Sequence, residues 1–281
     1  MTAISNAPAP SSAPAIRLLV DSANPGQFFA CCGLLELAHR LWNGATGSFA
    51  RDEFHIFTVG AIAKSNSLQE LVSTLCATPL EQLDSEDDTS SPIRLGGSFQ
   101  LTLDWWHDKR SGGNRLKVWA GRMSSIRIAR AMQSAIADPT VQNESLLNFA
   151  TVVFDPLEQD KKVEPFYFDS RRGANAQSRD IGFAPDALQM TTTAFPAVEV
   201  LCLIGLQRCR PWPADNSERD RQRHFGYHTW VEPHSPEIVP AAIHGLLSSQ
   251  GSQYFRFENS FRTDQKKHKA FLRATLIGGS S

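Results

Sequence analysis

The residues best suited to chemistry lie in Trp105–Lys117, WWHDKRSGGNRLK. Lys109, Arg110, Arg115 and Lys117, followed by Arg122, supply countercharge for phosphates, with Asn114 as a neutral hydrogen-bonding partner. Gly112 and Gly113 let backbone N–H groups approach phosphate oxygens. Trp105 and Trp106 offer faces on which bases stack, with at least one of the pair held in the core. A second basic run, Arg262, Lys266, Lys267, His268 and Lys269, precedes the last strand and is placed to line the same groove. This is the chemistry of gripping a sugar-phosphate chain rather than breaking one.

Other candidates carry a weaker signal. Asn24 and Gln27 flank Pro25-Gly26 and offer two amides able to read base edges. The competing role for Asn24 is the N-cap of a helix with Pro25 at its first position. Asp169 and Asp180 bracket a loop with Arg171, Arg172 and Arg179, which reads as an Asp–Arg network presenting spare guanidiniums to phosphate, not as a magnesium site. His224, His228, Glu232, His234 and His244 lack zinc spacing and read as ordinary strand and turn residues. No phosphate-binding loop, nucleophile elbow, His-Glu-x-x-His or Cys-x-x-Cys motif occurs, so no catalytic residue, metal or cofactor is expected. The enzymatic alternative is a metal-independent endoribonuclease maturing guide RNA, with His107 or His228 as general acid/base.

The chain has 281 residues and a net charge of −1, which excludes a uniformly basic binder. The average conceals a division, since residues 1–104 carry 5 Lys/Arg and 11 Asp/Glu, while the remainder carries 23 and 18. Five cysteines without disulfide-scaffold spacing read as buried thiols in a reducing compartment. Residues 1–15, rich in Ala, Pro and Ser, read as a disordered tail lacking signal-peptide features. No apolar run approaches the ~20 residues needed to span a bilayer, so a cytoplasmic protein is expected.

The elements that must position these groups alternate without a regular βαβ rhythm, which predicts an α+β fold. Apolar spacing predicts helices over 27–42, 67–76, 119–136, 197–206 and 236–247. Strands are expected at 16–20, 54–59, 98–105, 166–168, 225–231, 254–258 and 270–277. The acidic stretch 84–91 reads as a mobile surface loop. An N-terminal α+β part over 16–150 and a C-terminal α+β part over 151–281 form one compact body or two closely packed subdomains, with Pro-rich 138–164 as the seam.

Asp21–Leu37 (DSANPGQFFACCGLLEL), Phe166–Gly173 (FYFDSRRG), Asp180–Phe183 (DIGF), Gly205–Pro211 (GLQRCRP) and Lys269–Ile277 (KAFLRATLI) resemble CRISPR-associated proteins of subtype I-U, also called I-G. The resemblance runs from about Ile16 to Ile277 and points to the compact large-subunit-like proteins of that subtype's Cascade effector. It implies a non-catalytic subunit of an RNA-guided surveillance complex in antiviral defence. Its implied partners are guide RNA, target double-stranded DNA near the protospacer-adjacent motif, the other Cascade backbone subunits and a separate helicase-nuclease. The chain is shorter than the usual large subunit, and no region reads as the C-terminal helical bundle of the longer ones.

Overall fold

In the computed structural model, residues 13–58, 67–119, 123–172, 193–214, 223–247, 249–261 and 269–279 are described. The fold is α+β. Helix α1 (Pro25–Leu41) begins where the sequence places a cap: Asn24 Oδ1 accepts from Gly26 N–H at 3.1 Å, and Pro25 follows. Its residues from Pro25 to Ala38 are all buried, as are all ten of helix α5 (Pro196–Gly205). Helices buried on every side pack in the interior rather than face water, and these two pack on each other. Glycines make their contact close. A Cβ on Gly33 would lie 2.0 Å from the Leu201 carbonyl oxygen, and one on Gly205 2.0 Å from that of Phe29.

Three antiparallel sheets surround this pair. Strands β1 (Ile16–Leu19), β2 (Ala45–Ala50) and β3 (Glu53–Thr58) pair in the order β1-β3-β2. The second sheet joins β4 (Leu80–Gln82), β5 (Ile93–Leu95) and β6 (Leu101–Leu103) in sequence order. The third runs β10-β9-β8-β7, from Lys269–Phe271 through Gln253–Phe261 and His224–His228 to Trp212–Pro213, with β11 (Thr275–Gly279) also on β9. Helices α2 (Leu68–Ala77), α3 (Gly113–Leu116), α4 (Ser125–Ser134) and α6 (Val239–Ile243) complete the described set. Buried apolar side chains from Ile16 to Ala274 form one cluster, so sequence on both sides of the 138–164 seam contributes to a common core.

Several expected elements change form. The helix expected over 119–136 is the shorter α4, because the Ser124 hydroxyl caps it by accepting from Arg127 N–H, while Trp119 is buried ahead of it. Phe166-Tyr167-Phe168 is not a strand, and Tyr167 has φ of 76°. The N–H groups of Phe168 and Asp169 donate instead to the buried Glu199 carboxylate, each at 3.2 Å. The last expected strand divides into β10 and β11, which pair with different stretches of β9. All five cysteines are free, and four are buried. No helix among the described residues is long and apolar enough to cross a membrane.

Candidate nucleic-acid interface

The basic segment after β6 is held from beneath by tryptophans. Trp105, Trp106 and Trp119 are all buried in edge-on contact, with centroids 5.2–5.9 Å apart. Each indole N–H needs an acceptor inside the protein. Trp105 donates to the Leu203 carbonyl at 2.9 Å, Trp106 to that of Ser90 at 2.7 Å and Trp119 to that of Thr89 at 2.8 Å. Neither Trp105 nor Trp106 therefore presents a face to a base. The same bonds tie the later half of the acidic 84–91 loop to the tryptophan cluster. Its carbonyls satisfy two buried indoles, its Ser90 hydroxyl meets Lys117 Nζ, and Asp87 Oδ1 accepts from the N–H groups of Thr89 and Ser90.

Lys117 is consequently only half available. Its Nζ bonds to Ser90 and lies 5.1 Å from the Trp119 ring, and burial pulls its pKa below that of an ordinary lysine. Lys109, Arg110 and Asn114 are exposed. The loop presenting them is fixed by Asp108. Its carboxylate accepts from Arg110 N–H at 2.9 Å, Ser111 N–H at 3.2 Å, the Ser111 hydroxyl at 2.6 Å and Arg210 Nη1 at 2.5 Å. These donors hold its pKa well below the usual carboxylate range. The Arg110 and Ser111 N–H groups beside the two glycines are thus occupied by the loop's own anion, which leaves the exposed side chains as the main phosphate contacts. Asp108→Ala is expected to speed amide hydrogen exchange at Arg110 and Ser111 while leaving Tm almost unchanged. Exchange measured by mass spectrometry or NMR checks this.

Two further segments meet this loop through one side chain. Asn259, near the end of β9, donates from Nδ2 to the Arg115 carbonyl at 2.8 Å and from its backbone N–H to the Arg223 carbonyl at 2.8 Å. Lys269 N–H, at the start of β10, reaches the Val118 carbonyl at 3.4 Å. Arg115, Arg223 and Lys269 therefore gather at one end of the third sheet. Among the described residues none of the three has a carboxylate partner. Burial and the neighbouring Arg223 charge both lower the Lys269 pKa, as expected for like charges held together. Arg223 was missed because it lies in a stretch of mixed sign, PADNSERDRQR, whose average charge is unremarkable. Arg122, Lys266 and Lys267 lie outside the described residues, as does the side chain of Arg172.

The amides expected to read bases are internal. Asn24 is 0% exposed and Gln27 2%. Asn24 Nδ2 donates to Asp169 Oδ1 at 3.0 Å, and its Oδ1 also accepts from Ser170 N–H at 3.1 Å. Gln27 Oε1 accepts from Asp21 N–H at 2.7 Å, and its Nε2 donates to Asn148 Oδ1 at 3.3 Å. Arg171 spends four of its five N–H donors inside the protein. It grips Asp169 through Nε at 2.9 Å and Nη2 at 2.6 Å, bonds Asn148 and the Leu147 carbonyl, and stacks 3.4 Å from the Phe195 ring centroid. The Asp–Arg network is structural, and Asp180 lies outside the described residues.

The histidines are similarly placed by their neighbours. His107 Nε2 donates to the Ser90 carbonyl at 2.7 Å, and His228 lies against Trp212 and Tyr254, its pKa lowered by burial. Among the described residues no three His, Cys, Asp or Glu side chains gather as metal ligands would. No protein-family model matches the chain. No curated protein matches it either. Of the stretches that carry the resemblance to subtype I-U proteins, Asp180–Phe183 lies outside the described residues, and the described parts of the other four meet one another in space. Asn24 bonds Asp169, Gly33 lies on Gly205, and Glu36 receives Arg208 Nε at 2.7 Å and Arg40 Nε at 2.7 Å. Ala274 N–H closes on the Ala23 carbonyl at 2.8 Å. Those stretches form a common framework, and the cationic end of the sheet is carried on it.

Proposed function

We propose that this chain is a non-catalytic subunit of a CRISPR RNA-guided surveillance complex of subtype I-U, binding guide RNA and target DNA through the cationic end of its third sheet. The supporting observation is the gathering of Arg115 and Arg223 at Asn259, with Lys269 near Arg223, none of the three having a carboxylate partner among the described residues. Like charges held together cost stability, and a polyanion offsets that cost by releasing its counterions. Exposed Lys109 and Arg110 extend the surface along the loop that Asp108 stiffens. Contact with the protospacer-adjacent motif, assembly with backbone subunits and recruitment of a helicase-nuclease rest on the family resemblance alone. In such a complex base pairing carries the sequence information, so a subunit that holds backbones needs few base contacts.

The test is fluorescence anisotropy of the purified chain with repeat RNA and with duplex DNA across a salt series. Affinity should fall steeply with salt, and Arg115→Ala, Arg223→Ala and Lys269→Ala together should flatten the slope. Each lost phosphate contact lowers that slope by about 0.9 for duplex DNA and about 0.7 for a single strand. A slope identical to that of the unaltered chain would remove this placement. Cleavage of repeat RNA that disappears in His107→Ala or His228→Ala would replace it with the ribonuclease.

A further inference from the structure

The third sheet has two faces, and only one is core. Along β8 and β9, Phe225, Tyr227, Phe255 and Phe257 are buried, so the two-residue alternation turns His224, Gly226, His228, Tyr254, Arg256 and Glu258 to the opposite face. There His228 pairs across the strands with Tyr254, and Gly226 with both Arg256 and Trp212. Three half-buried rings result, nearly parallel. Trp212 and His228 have centroids 5.2 Å apart at 19°, His228 and Tyr254 4.8 Å at 22°, and Trp212 and Tyr254 5.5 Å at 11°. Gly226 makes room for them, since a Cβ there would meet the Tyr254 ring at 2.8 Å and the Trp212 ring at 3.0 Å.

Beside the rings, toward the start of β8, is a cleft of about 360 Å³ bordered by His224, Arg256, Glu258, Arg273 and Thr275. Glu258 is its lining carboxylate among the described residues, and the Arg273 side chain stays 61% exposed while paired with Asp21. At the near end of β8 stands Arg223, part of the cationic junction. From His224 to His228 the strand covers about 13 Å. Cation, cleft and parallel rings therefore follow one another along a single strand.

We infer that this outer sheet face binds a single-stranded polynucleotide, with phosphates at the Arg223–Lys269 end and an unpaired base stacked on the Trp212 and Tyr254 rings, which His228, backed by Gly245, holds in place. The inference rests on the nucleic-acid reading above and adds to it the strandedness of the ligand and the groups that meet its bases. Flat rings on a sheet favour unstacked bases, whose faces are free. A duplex keeps those faces inside its own stack. The cations at the Arg223–Lys269 end supply the countercharge for a phosphate chain.

The full chain is titrated with labelled oligouridylate and oligothymidylate of about a dozen nucleotides, and with a blunt duplex of similar length. Trp212→Leu and Tyr254→Leu are each expected to weaken single-strand binding by about tenfold, leaving the salt slope and duplex affinity unchanged. Trp212 partly packs on the core, so Tyr254→Leu provides the reading should Trp212→Leu fold poorly. If both variants bind single strands as the unaltered chain does while Arg223→Ala and Lys269→Ala still lose affinity, the stacking face is wrong and the cationic interface stands. If the unaltered chain binds none of the three ligands, both readings fall.

Discussion

Replacing Gly33 with alanine is expected to destabilise the protein by about 3–5 kcal/mol, more than most single substitutions. The obstacle is backbone rather than side chain. The new methyl group would lie 2.0 Å from the Leu201 carbonyl oxygen and 2.9 Å from the Gly205 nitrogen, and no rotamer change moves either atom. Relief requires separating α1 from α5. Both helices are buried on all sides, so separation would disturb packing through the common core. Gly205→Ala should act alike, because its Cβ would lie 2.0 Å from the Phe29 carbonyl. Gly96→Ala is the control. Nothing lies within 4 Å of the added atom, and a change of less than about 0.5 kcal/mol is expected. Urea midpoints for the three variants check the ordering. Equal midpoints for Gly33→Ala and the unaltered chain would mean that the helices do not touch as described.

The same crossing shows how far the sequence can be read. Helix α1 is legible because its signals are local: an Asn-Pro start, apolar residues at three- and four-residue steps, and Asn43-Gly44 at its end. Its partner is not legible, since nothing in GLLEL says that Glu36 will meet Arg208 at a separation of 172 residues. The tryptophans mislead for a related reason. Trp105 and Trp106 beside four cations read as a stacking surface, yet their indoles are satisfied by carbonyls of α5 and of the acidic loop. That demand for acceptors also anchors the Thr89 and Ser90 carbonyls of a loop whose composition suggests mobility.

The site follows the same logic. Lys109 and Arg110 stand out as a run, and the structure leaves them exposed. The gathering of Arg115 with Arg223 depends on Asn259, 144 residues from Arg115, and no local pattern announces it. Asn24 and Gln27 look like free amides only while Asp169 and Asn148 are out of view. Polar residues tied to distant partners are thus the ones a sequence misassigns, and here they belong to the framework instead of the surface.

Glu199→Gln is expected to reverse its effect on stability with pH. Glu199 is fully buried in α5, and burial, followed by the nearby Asp169 charge, pushes its pKa up to about 8 against the opposing pull of the Phe168 and Asp169 N–H groups. Between an unfolded value near 4.5 and a folded value near 8, the folded chain holds the proton more tightly than the unfolded one. Stability contributed by this group is therefore complete below about pH 4.5, declines as pH rises, and is lost above about pH 8. The shift corresponds to a few kcal/mol, on the order of 1.4 for each pH unit. A glutamine carries no charge at any of these pH values, so its stability should not share that slope. It keeps one acceptor oxygen for the Phe168, Asp169 and Tyr167 N–H groups, which costs about 1–3 kcal/mol where the carboxyl group offers two. The variant should accordingly be the weaker protein near pH 5 and the stronger near pH 9, read from urea midpoints across that range. Parallel curves for the two proteins would show that Glu199 stays ionised throughout, held by its backbone donors. The tie between α5 and Phe168-Asp169 would then be a buried carboxylate rather than a buried acid.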